Sequence, residues 1–358
     1  MPQIRRAPKG RTVTGLDIEP GAVRAVRART VAGRIVVDQA VSAPLEPGIV
    51  RDGEVVEPEA LGAVLRDLFD EHKLDRRVRI GVANQRVVVR HLLLPPITDP
   101  KQLATAVRFM AADEMPMPID QAVLDHVVLG PVETPEGPRT RVLVIAARRS
   151  MIDSLLAAAQ IAGLRPEGID LSAFAMVRAL GATREGVTLH LSVGGVVTLA
   201  VTKGSECVFT RVVGGGLETM AAELAERHTI VVDEARSALR GVRLEAPVVV
   251  APDDEPVAID TSDPVAADAL AVVTDGLRRI AGEVRSSIDF HLGVDHSGEA
   301  PTVERVLLTG SVLGIEGSVD ELARRLSVPV EAGDVEGAHD EPGAYAVAAG
   351  LTVSELAA

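Results

Sequence analysis

The sequence has few cysteine and aromatic residues. Cys207 is its only cysteine, which excludes an intrachain disulfide and any zinc cluster built from cysteines. Aromatic residues make up 2% of the chain and tryptophan is absent. The core must therefore consist of Val, Leu, Ala and Ile, and the chain lacks the aromatic platforms on which proteins stack single-stranded nucleic acids.

Long apolar runs are also missing. No stretch reaches the length of a membrane-spanning helix, and no secretory signal follows the basic start. Residues 1–11 are interpreted as a basic, flexible arm. The formal net charge of −14, from 37 basic and 51 acidic residues, gives no global attraction for nucleic acid or an anionic membrane. We expect a cytoplasmic protein that does not bind nucleic acid.

The chain of 358 residues is long enough for two lobes. Short β-branched runs predict a β-meander near the N-terminus, and residues 186–213, "GVTLHLSVGGVVTLAVTKGSECVFTRVV", repeat its order of strand, glycine turn, strand and strand. The repeat predicts two similar lobes of an α/β protein. The expected divisions are a first lobe at 12–43 and 141–185, completed by a C-terminal helix at 343–354, an inserted α+β subdomain at 44–140, and a second lobe at 186–342 with a flexible loop at 246–266.

Several segments carry a resemblance to a known family. They include "GLDIEPGAVRAV", "RHLLLPPI", "EMPMPIDQAVLDHVVLG", "FTRVVGGGLETMAAELA", "RVLLTG" and "YAVAAGL", in that order along the chain. The chain resembles the actin-like ATPase superfamily and, within it, the type IV pilus assembly protein PilM family, which is related to the division protein FtsA. The resemblance implies a two-lobed actin-like fold, a duplicated ribonuclease H-like architecture, with an inserted α+β subdomain in the first lobe.

The resemblance also implies the positions of a vestigial nucleotide site. Two phosphate loops, a glycine-rich stretch before a helix and a late nucleoside loop supply its candidate residues. These are Asp17, Gly21, Gly194, Gly214, Gly215, Gly216, Gly310 and Ser311.

Each loop departs from the pattern of the family. Glu19 and Pro20 stand where small or hydroxyl residues are usual, so a negative charge is added and a main-chain donor is lost. His190 replaces the acid of the second loop, and Val196 replaces a hydroxyl residue. We therefore expect no catalytic residue, no metal site, and neither ATP nor magnesium as a cofactor.

Some of these residues have a structural alternative. Asp17 is either a remnant of the phosphate site or a carboxylate that caps a turn. Gly214–Gly216 either present N–H groups to a phosphate or form a hinge before a helix. His190 is interpreted as a hydrogen-bonded strand residue rather than a general base, and Cys207 as a packed thiol.

The resemblance implies a function as well. Members of the family act as cytoplasmic scaffolds of the pilus, or of a related secretion system, and bind the N-terminal tail of a PilN-like inner-membrane protein near the inserted subdomain. Membrane association would then be peripheral and through the partner. Met115 and Met117 are candidates for the binding surface, with core filling as the alternative. Two other functions are an active ATPase that drives assembly and an FtsA-like filament protein, although "LTVSELAA" is too short and acidic for a membrane-targeting helix.

Overall fold

A computed structural model describes residues 13–181, 186–244, 263–292, 302–338, 341 and 343–353. The predicted arm at 1–11 lies outside these residues. So does most of the predicted loop at 246–266, of which residues 264–266 begin a helix.

The first half of the chain forms most of the first lobe and the inserted subdomain. Pro58 opens its first helix at a position where the missing N–H costs nothing, and the carboxylate of Asp99 caps the second helix by accepting from the N–H of Gln102 at 2.7 Å. In chain order the elements are β1 (Thr14–Glu19), β2 (Ala22–Val31), β3 (Arg34–Pro44), β4 (Val50–Arg51), β5 (Glu54–Val55), α1 (Pro58–His72), β6 (Arg77–Val82), β7 (Val88–Leu94), α2 (Pro100–Glu114), β8 (Ala122–Thr134), β9 (Gly137–Arg148), α3 (Arg149–Ile161), β10 (Arg165–Leu171) and α4 (Ser172–Leu180).

The second half forms the second lobe and returns to the first. Its glycine turn after the first strand and its three-stranded meander match the start of the chain. The elements are β11 (Val187–Val193), β12 (Val197–Lys203), β13 (Glu206–Val213), α5 (Leu217–His228), α6 (Val232–Arg240), α7 (Pro264–Leu292), β14 (Arg305–Thr309), a 3₁₀ turn (Ser311–Gly314), α8 (Ser318–Leu326), β15 (Val330–Ala332) and α9 (Ala346–Leu351).

Each lobe is built on a five-stranded sheet, and the two sheets share one plan. The orders are β10-β6-β1-β2-β3 and β13-β12-β11-β14-β15. In each sheet an antiparallel meander is extended by two parallel strands beside its first strand. This symmetry confirms the predicted duplicated α/β fold with two lobes.

Helix α9 closes the first lobe from the C-terminal end of the chain. Its residues form one apolar cluster with β2 and β3. A Cβ on Gly15 of β1 would lie 1.8 Å from the carbonyl oxygen of Ala348, so only glycine allows this close approach.

The inserted subdomain is smaller than the range expected from the sequence. Its sheet has the order β7-β9-β8, and α2 packs against it through Leu92, Leu94, Leu103 and Val107. Helix α1 and strand β6, which fall in the expected range 44–140, belong to the first lobe, because β6 pairs in parallel with both β1 and β10. The separate subdomain therefore spans residues 88–148.

Candidate functional site

The first candidate residue, Asp17, lies in β1, two residues before Glu19. Both faces of β1 are covered, and Asp17 is 3% exposed. Burial, followed by the neighbouring charge of Glu19, raises the pKa of Asp17 to about 8, although Arg24 acts in the opposite direction. The carboxyl group is therefore mostly protonated at neutral pH and presents little charge to a cation.

The side chain of Glu19 occupies the space in front of the second glycine turn. Its Oε2 accepts the main-chain N–H of Gly195 at 3.3 Å and a bond from Nη1 of Arg24 at 3.2 Å. A Cβ on Gly194 would lie 2.4 Å from the same oxygen. A carboxylate of the chain therefore contacts an N–H of the turn in the way that a phosphate oxygen would.

The guanidinium of Arg24 links this carboxylate to the late loop of the second lobe. Its Nη2 donates to Oγ of Ser311 at 2.6 Å, and its Nε lies 3.5 Å from Oε2 of Glu341. Burial opposes the charge of Arg24, but Glu19, Asp17 and Glu341 raise its pKa overall, so the group is cationic. A buried ion pair of the first lobe is therefore bonded to Gly195 and Ser311 of the second lobe.

Two main-chain carbonyl groups of the first lobe, those of Pro20 and Leu45, lie against the second lobe. A Cβ on Gly195 would lie 2.2 Å from the carbonyl oxygen of Pro20. Arg236 of α6 donates to the carbonyl oxygen of Leu45 at 3.0 Å and is held by Glu218 of α5, also at 3.0 Å. The lobes therefore meet directly at the two turns.

The glycines chosen from the sequence divide into two groups. Gly216 packs on the second turn, where its Cβ would lie 2.4 Å from the carbonyl oxygen of Gly194, and Gly310 packs beside Val193. Asp17 interacts with the charges of Glu19 and Arg24, Ser311 accepts from Arg24, and Gly194 lies against Glu19. Gly21, Gly214 and Gly215 lie outside this group: Gly21 faces Glu218 and Arg236, Gly214 faces Gln85, and Gly215 has open space beside it.

His190 and Cys207 have the structural roles expected from the sequence. His190 is fully buried, and its Nε2 lies 3.2 Å from Oγ1 of Thr202. Burial, assisted by the charge of Arg305, lowers the pKa of His190 to about 4, so the ring is neutral. Burial raises the pKa of the Cys207 thiol to about 12, which leaves almost no reactive thiolate at neutral pH.

The match to known proteins identifies the family. The family model described as type IV pilus assembly protein PilM matches residues 15–246. The chain belongs to this family. Its role is therefore in type IV pilus assembly.

Solved structures agree with the fold. A structure described as the PilM–PilN type IV pilus biogenesis complex aligns with a TM-score of 0.74 at 24% identity, over 95% of this chain and 97% of that one. The ethanolamine utilization protein EutJ from Carboxydothermus hydrogenoformans aligns with a TM-score of 0.53 at 14% identity, over 98% and 91%. MreB5 of Spiroplasma citri bound to ADP aligns with a TM-score of 0.52 at 12% identity, over 96% and 95%. These likenesses show the actin-like fold.

The two methionines proposed as a partner surface occupy different environments in this PilM-family chain. Met115 is 8% exposed and packs in the core of the inserted subdomain, so it is not a surface residue, whereas Met117 is half-buried. Met115 follows the last turn of α2, where its N–H still bonds to the helix and directs the side chain inward. The exposed apolar residues of this helix are instead Phe109, at 74%, and Met110.

Two further properties concern metals and membranes. Within the described residues, no group of three or more His, Cys, Asp or Glu side chains could hold a metal ion. None of the described helices is long and apolar enough to span a bilayer.

Arg24 and Arg236 are the functional residues that the sequence interpretation missed. Arg24 lies between Val23 and Ala25 in a strand, a position that the alternation of a half-buried strand assigns to solvent. Because β2 also contains Arg27 and Arg29, no local signal marked Arg24 as the arginine that is buried.

Proposed function

We propose that this chain is a scaffold subunit of the inner-membrane assembly complex of the type IV pilus, or of a related secretion system, and that it neither holds nor hydrolyses ATP. The observation that supports this proposal is the position of Glu19. Its carboxylate already occupies the N–H of Gly195, and its partner Arg24 already binds Ser311.

A nucleotide would meet several obstacles between these turns. Its phosphate oxygens would approach the negative charge of Glu19, and they would compete with that carboxylate for the N–H of Gly195. Pro20 has no N–H to offer, and Asp17 is mostly neutral. The neutral His190 ring lacks an acidic hydrogen-bond partner of the kind that orients a general base.

The nucleotide part of the proposal can be tested on the full chain. Titration of ATP and Mg²⁺ by calorimetry should give no saturable heat, and phosphate release should match the rate without protein. The variant His190→Asp should behave in the same way, because Glu19 still fills the first loop. Micromolar affinity together with turnover that requires Mg²⁺ would refute the proposal.

The partner part of the proposal concerns a PilN-like inner-membrane protein. Membership of the PilM family and the alignment over nearly the whole chain with a PilM–PilN complex support a cytoplasmic tail of such a protein as the ligand. The tail would place the chain at the cytoplasmic face of the membrane. We propose that apolar residues of the tail pack on Phe109, Met110 and Met117 of the inserted subdomain.

Tail binding can be tested with a synthetic N-terminal peptide of the PilN-like protein from the same genome. Calorimetry should detect binding to the wild type, and Phe109→Asp should weaken it about tenfold, the loss of one well-packed anchor. Val231→Asp is the matched control, because Val231 is 64% exposed but lies in the second lobe. Absence of binding to the wild type would refute the partner, and equal effects of both variants would refute the surface.

A further inference from the structure

A groove separates the inserted subdomain from the second lobe. It encloses about 890 Å³. The first residues of β7 form one wall, β13 forms the other, and Arg279, Ile280 and Glu283 of α7 also line it. Gly214 and Gly215, two of the candidate glycines, also line it, whereas Glu19 and Arg24 do not.

The edge of strand β7 borders this groove. In the order β7-β9-β8 it is an end strand, paired only with β9. Successive side chains of a strand point to opposite faces, yet the consecutive residues Val88–His91 all line the groove, so the strand meets it edge-on. In the part of the chain that the structure describes, the main-chain groups of β7 bond to no main chain other than that of β9.

The charges around the groove are mainly positive. Arg90, Arg211 and Arg279 line it with one carboxylate, Glu283, which lies 3.6 Å from Nη2 of Arg211. Nη2 of Arg279 lies 3.1 Å from Oε2 of Glu223, which is outside the lining. Arg90 makes no ion pair within the described residues. Burial lowers the pKa of the adjacent His91, which keeps that ring neutral. A local excess of cations is unusual in a chain with a net charge of −14.

One interaction already spans the two walls at an end of the groove. Arg141 of β9 lies 2.9 Å from Glu206 at the start of β13. This pair is half-exposed, so it contributes about 1 kcal/mol or less to stability. Because this pair is weak, a ligand that contacts both walls could add substantially to the attachment of the inserted subdomain to the second lobe.

We propose that this groove binds an extended, acidic segment of another protein, which adds to β7 as a new strand. The edge of β7 supplies main-chain hydrogen bonds, although the carbonyl oxygen of Val89 already accepts from Nη1 of Arg90 at 3.0 Å. Arg90, which makes no ion pair within the described residues, selects Asp and Glu side chains, and Arg211 and Arg279 would exchange Glu283 and Glu223 for acidic residues of the segment. The segment would hold the inserted subdomain against the second lobe. The groove reaches Pro116, next to Met117 of the surface proposed for the tail, but its walls are β7, β13 and α7, and the proposal does not depend on tail binding.

The proposal can be tested with peptides of roughly ten residues, the length of a long strand, tiled across the cytoplasmic segments of the pilus proteins encoded in the same genome. Fluorescence anisotropy with the full chain should find acidic binders whose affinity falls as salt rises. Proline at alternate positions of the best peptide should abolish binding, because proline removes the N–H donors that strand addition requires.

Two arginines that are neighbours in α7 provide a matched pair of variants. Arg279→Glu should weaken the best acidic peptide about tenfold, because a lining charge is reversed. Arg278→Glu should leave the affinity unchanged, because Arg278 pairs with Asp275 and does not line the groove. Both side chains are exposed, so both variants should fold.

Hydrogen exchange locates the bound peptide. Amides of Val88–His91 should gain protection when the peptide is present. Absence of any acidic binder, equal effects of Arg279→Glu and Arg278→Glu, or unchanged exchange in β7 would each overturn the proposal.

Discussion

Arg24 donates from Nη2 to Oγ of Ser311 at 2.6 Å, and the two residues are 287 positions apart in different lobes. The same guanidinium holds Glu19, whose carboxylate accepts the N–H of Gly195. These three contacts connect the two lobes within the chain.

Removing the buried cation should destabilise the protein strongly. Arg24→Met leaves the carboxylate of Glu19 buried without its cation, so we expect the free energy of unfolding to fall by about 3 kcal/mol. Chemical denaturation measures the change. Arg29→Met is the control on the same strand, because the pair of Arg29 and Asp38 is exposed and should contribute less than about 1 kcal/mol.

A second substitution should restore part of this stability. In the double variant Glu19→Gln with Arg24→Met, no charge of the pair is left without its partner, so the loss should be smaller than for Arg24→Met alone. If the loss of stability in the double variant equals the sum of the losses measured for Glu19→Gln and Arg24→Met singly, the two side chains do not act as a pair.

Stability should fall as the pH rises, because of Asp17. An aspartate in the unfolded chain titrates near 3.9, and Asp17 in the fold titrates at about 8. Between these values the folded state keeps a proton that the unfolded chain has lost. The contribution of the neutral acid is therefore complete below about pH 4 and is lost as the pH rises through about 8.

Asp17→Asn should remove this dependence. Its free energy of unfolding should decline less than that of the wild type between about pH 5 and pH 8, because the amide does not titrate. Asp38→Asn, at the exposed partner of Arg29, should keep the wild-type slope. Denaturation at several pH values measures both slopes. A wild-type slope in Asp17→Asn would contradict the assignment.

Two glycine substitutions should have opposite effects. Gly195→Ala places a Cβ 2.2 Å from the carbonyl oxygen of Pro20, so the two turns must separate and the melting temperature should fall. Gly282 lies inside α7 with no atom near its Cβ position, and Gly282→Ala should stabilise the chain by about 0.5–1 kcal/mol. A melting temperature of Gly195→Ala equal to that of the wild type would show that the turns do not meet closely.

The two methionines should differ in their effect on stability. Met115→Ala removes a buried side chain from the core of the inserted subdomain, and a loss of about 2–4 kcal/mol is expected. Met117→Ala, at a half-buried position, should cost less than about 1 kcal/mol. Equal losses in thermal denaturation would contradict the packing described for Met115.

Local patterns predicted most elements of this fold and the two glycine turns that meet between the lobes. Strand β1, the turn at Glu19–Pro20 and the matching second turn follow from β-branched runs and glycines close together in sequence. The residue types alone also predict that Glu19 repels a phosphate by its charge and that Pro20 offers it no N–H donor. The partner of Glu19 does not, because Arg24 is buried only when a second lobe covers a face of β2 that would otherwise meet solvent.

The boundaries of the inserted subdomain show the same dependence on distant contacts. Strand β6 reads as an ordinary short strand, and its membership of the first lobe is decided by parallel pairing with β1 and with β10, far away in sequence. The position of Met115 depends on how α2 packs on its own sheet. The periodicity of β6 does not show which strands it pairs with, and the periodicity of α2 does not show how the helix packs on its sheet.

The Glu19–Arg24 pair has a consequence for how the protein responds to the cell. A diffusible ligand stabilises a closed form by an amount that depends on its concentration, so a protein joined by ATP follows the supply of ATP. The carboxylate of Glu19 is part of the chain, so its effective concentration is fixed and does not fall when the cell runs short of ATP. Under the proposed function, the two lobes would keep the same arrangement in an energy-depleted cell as in a growing one.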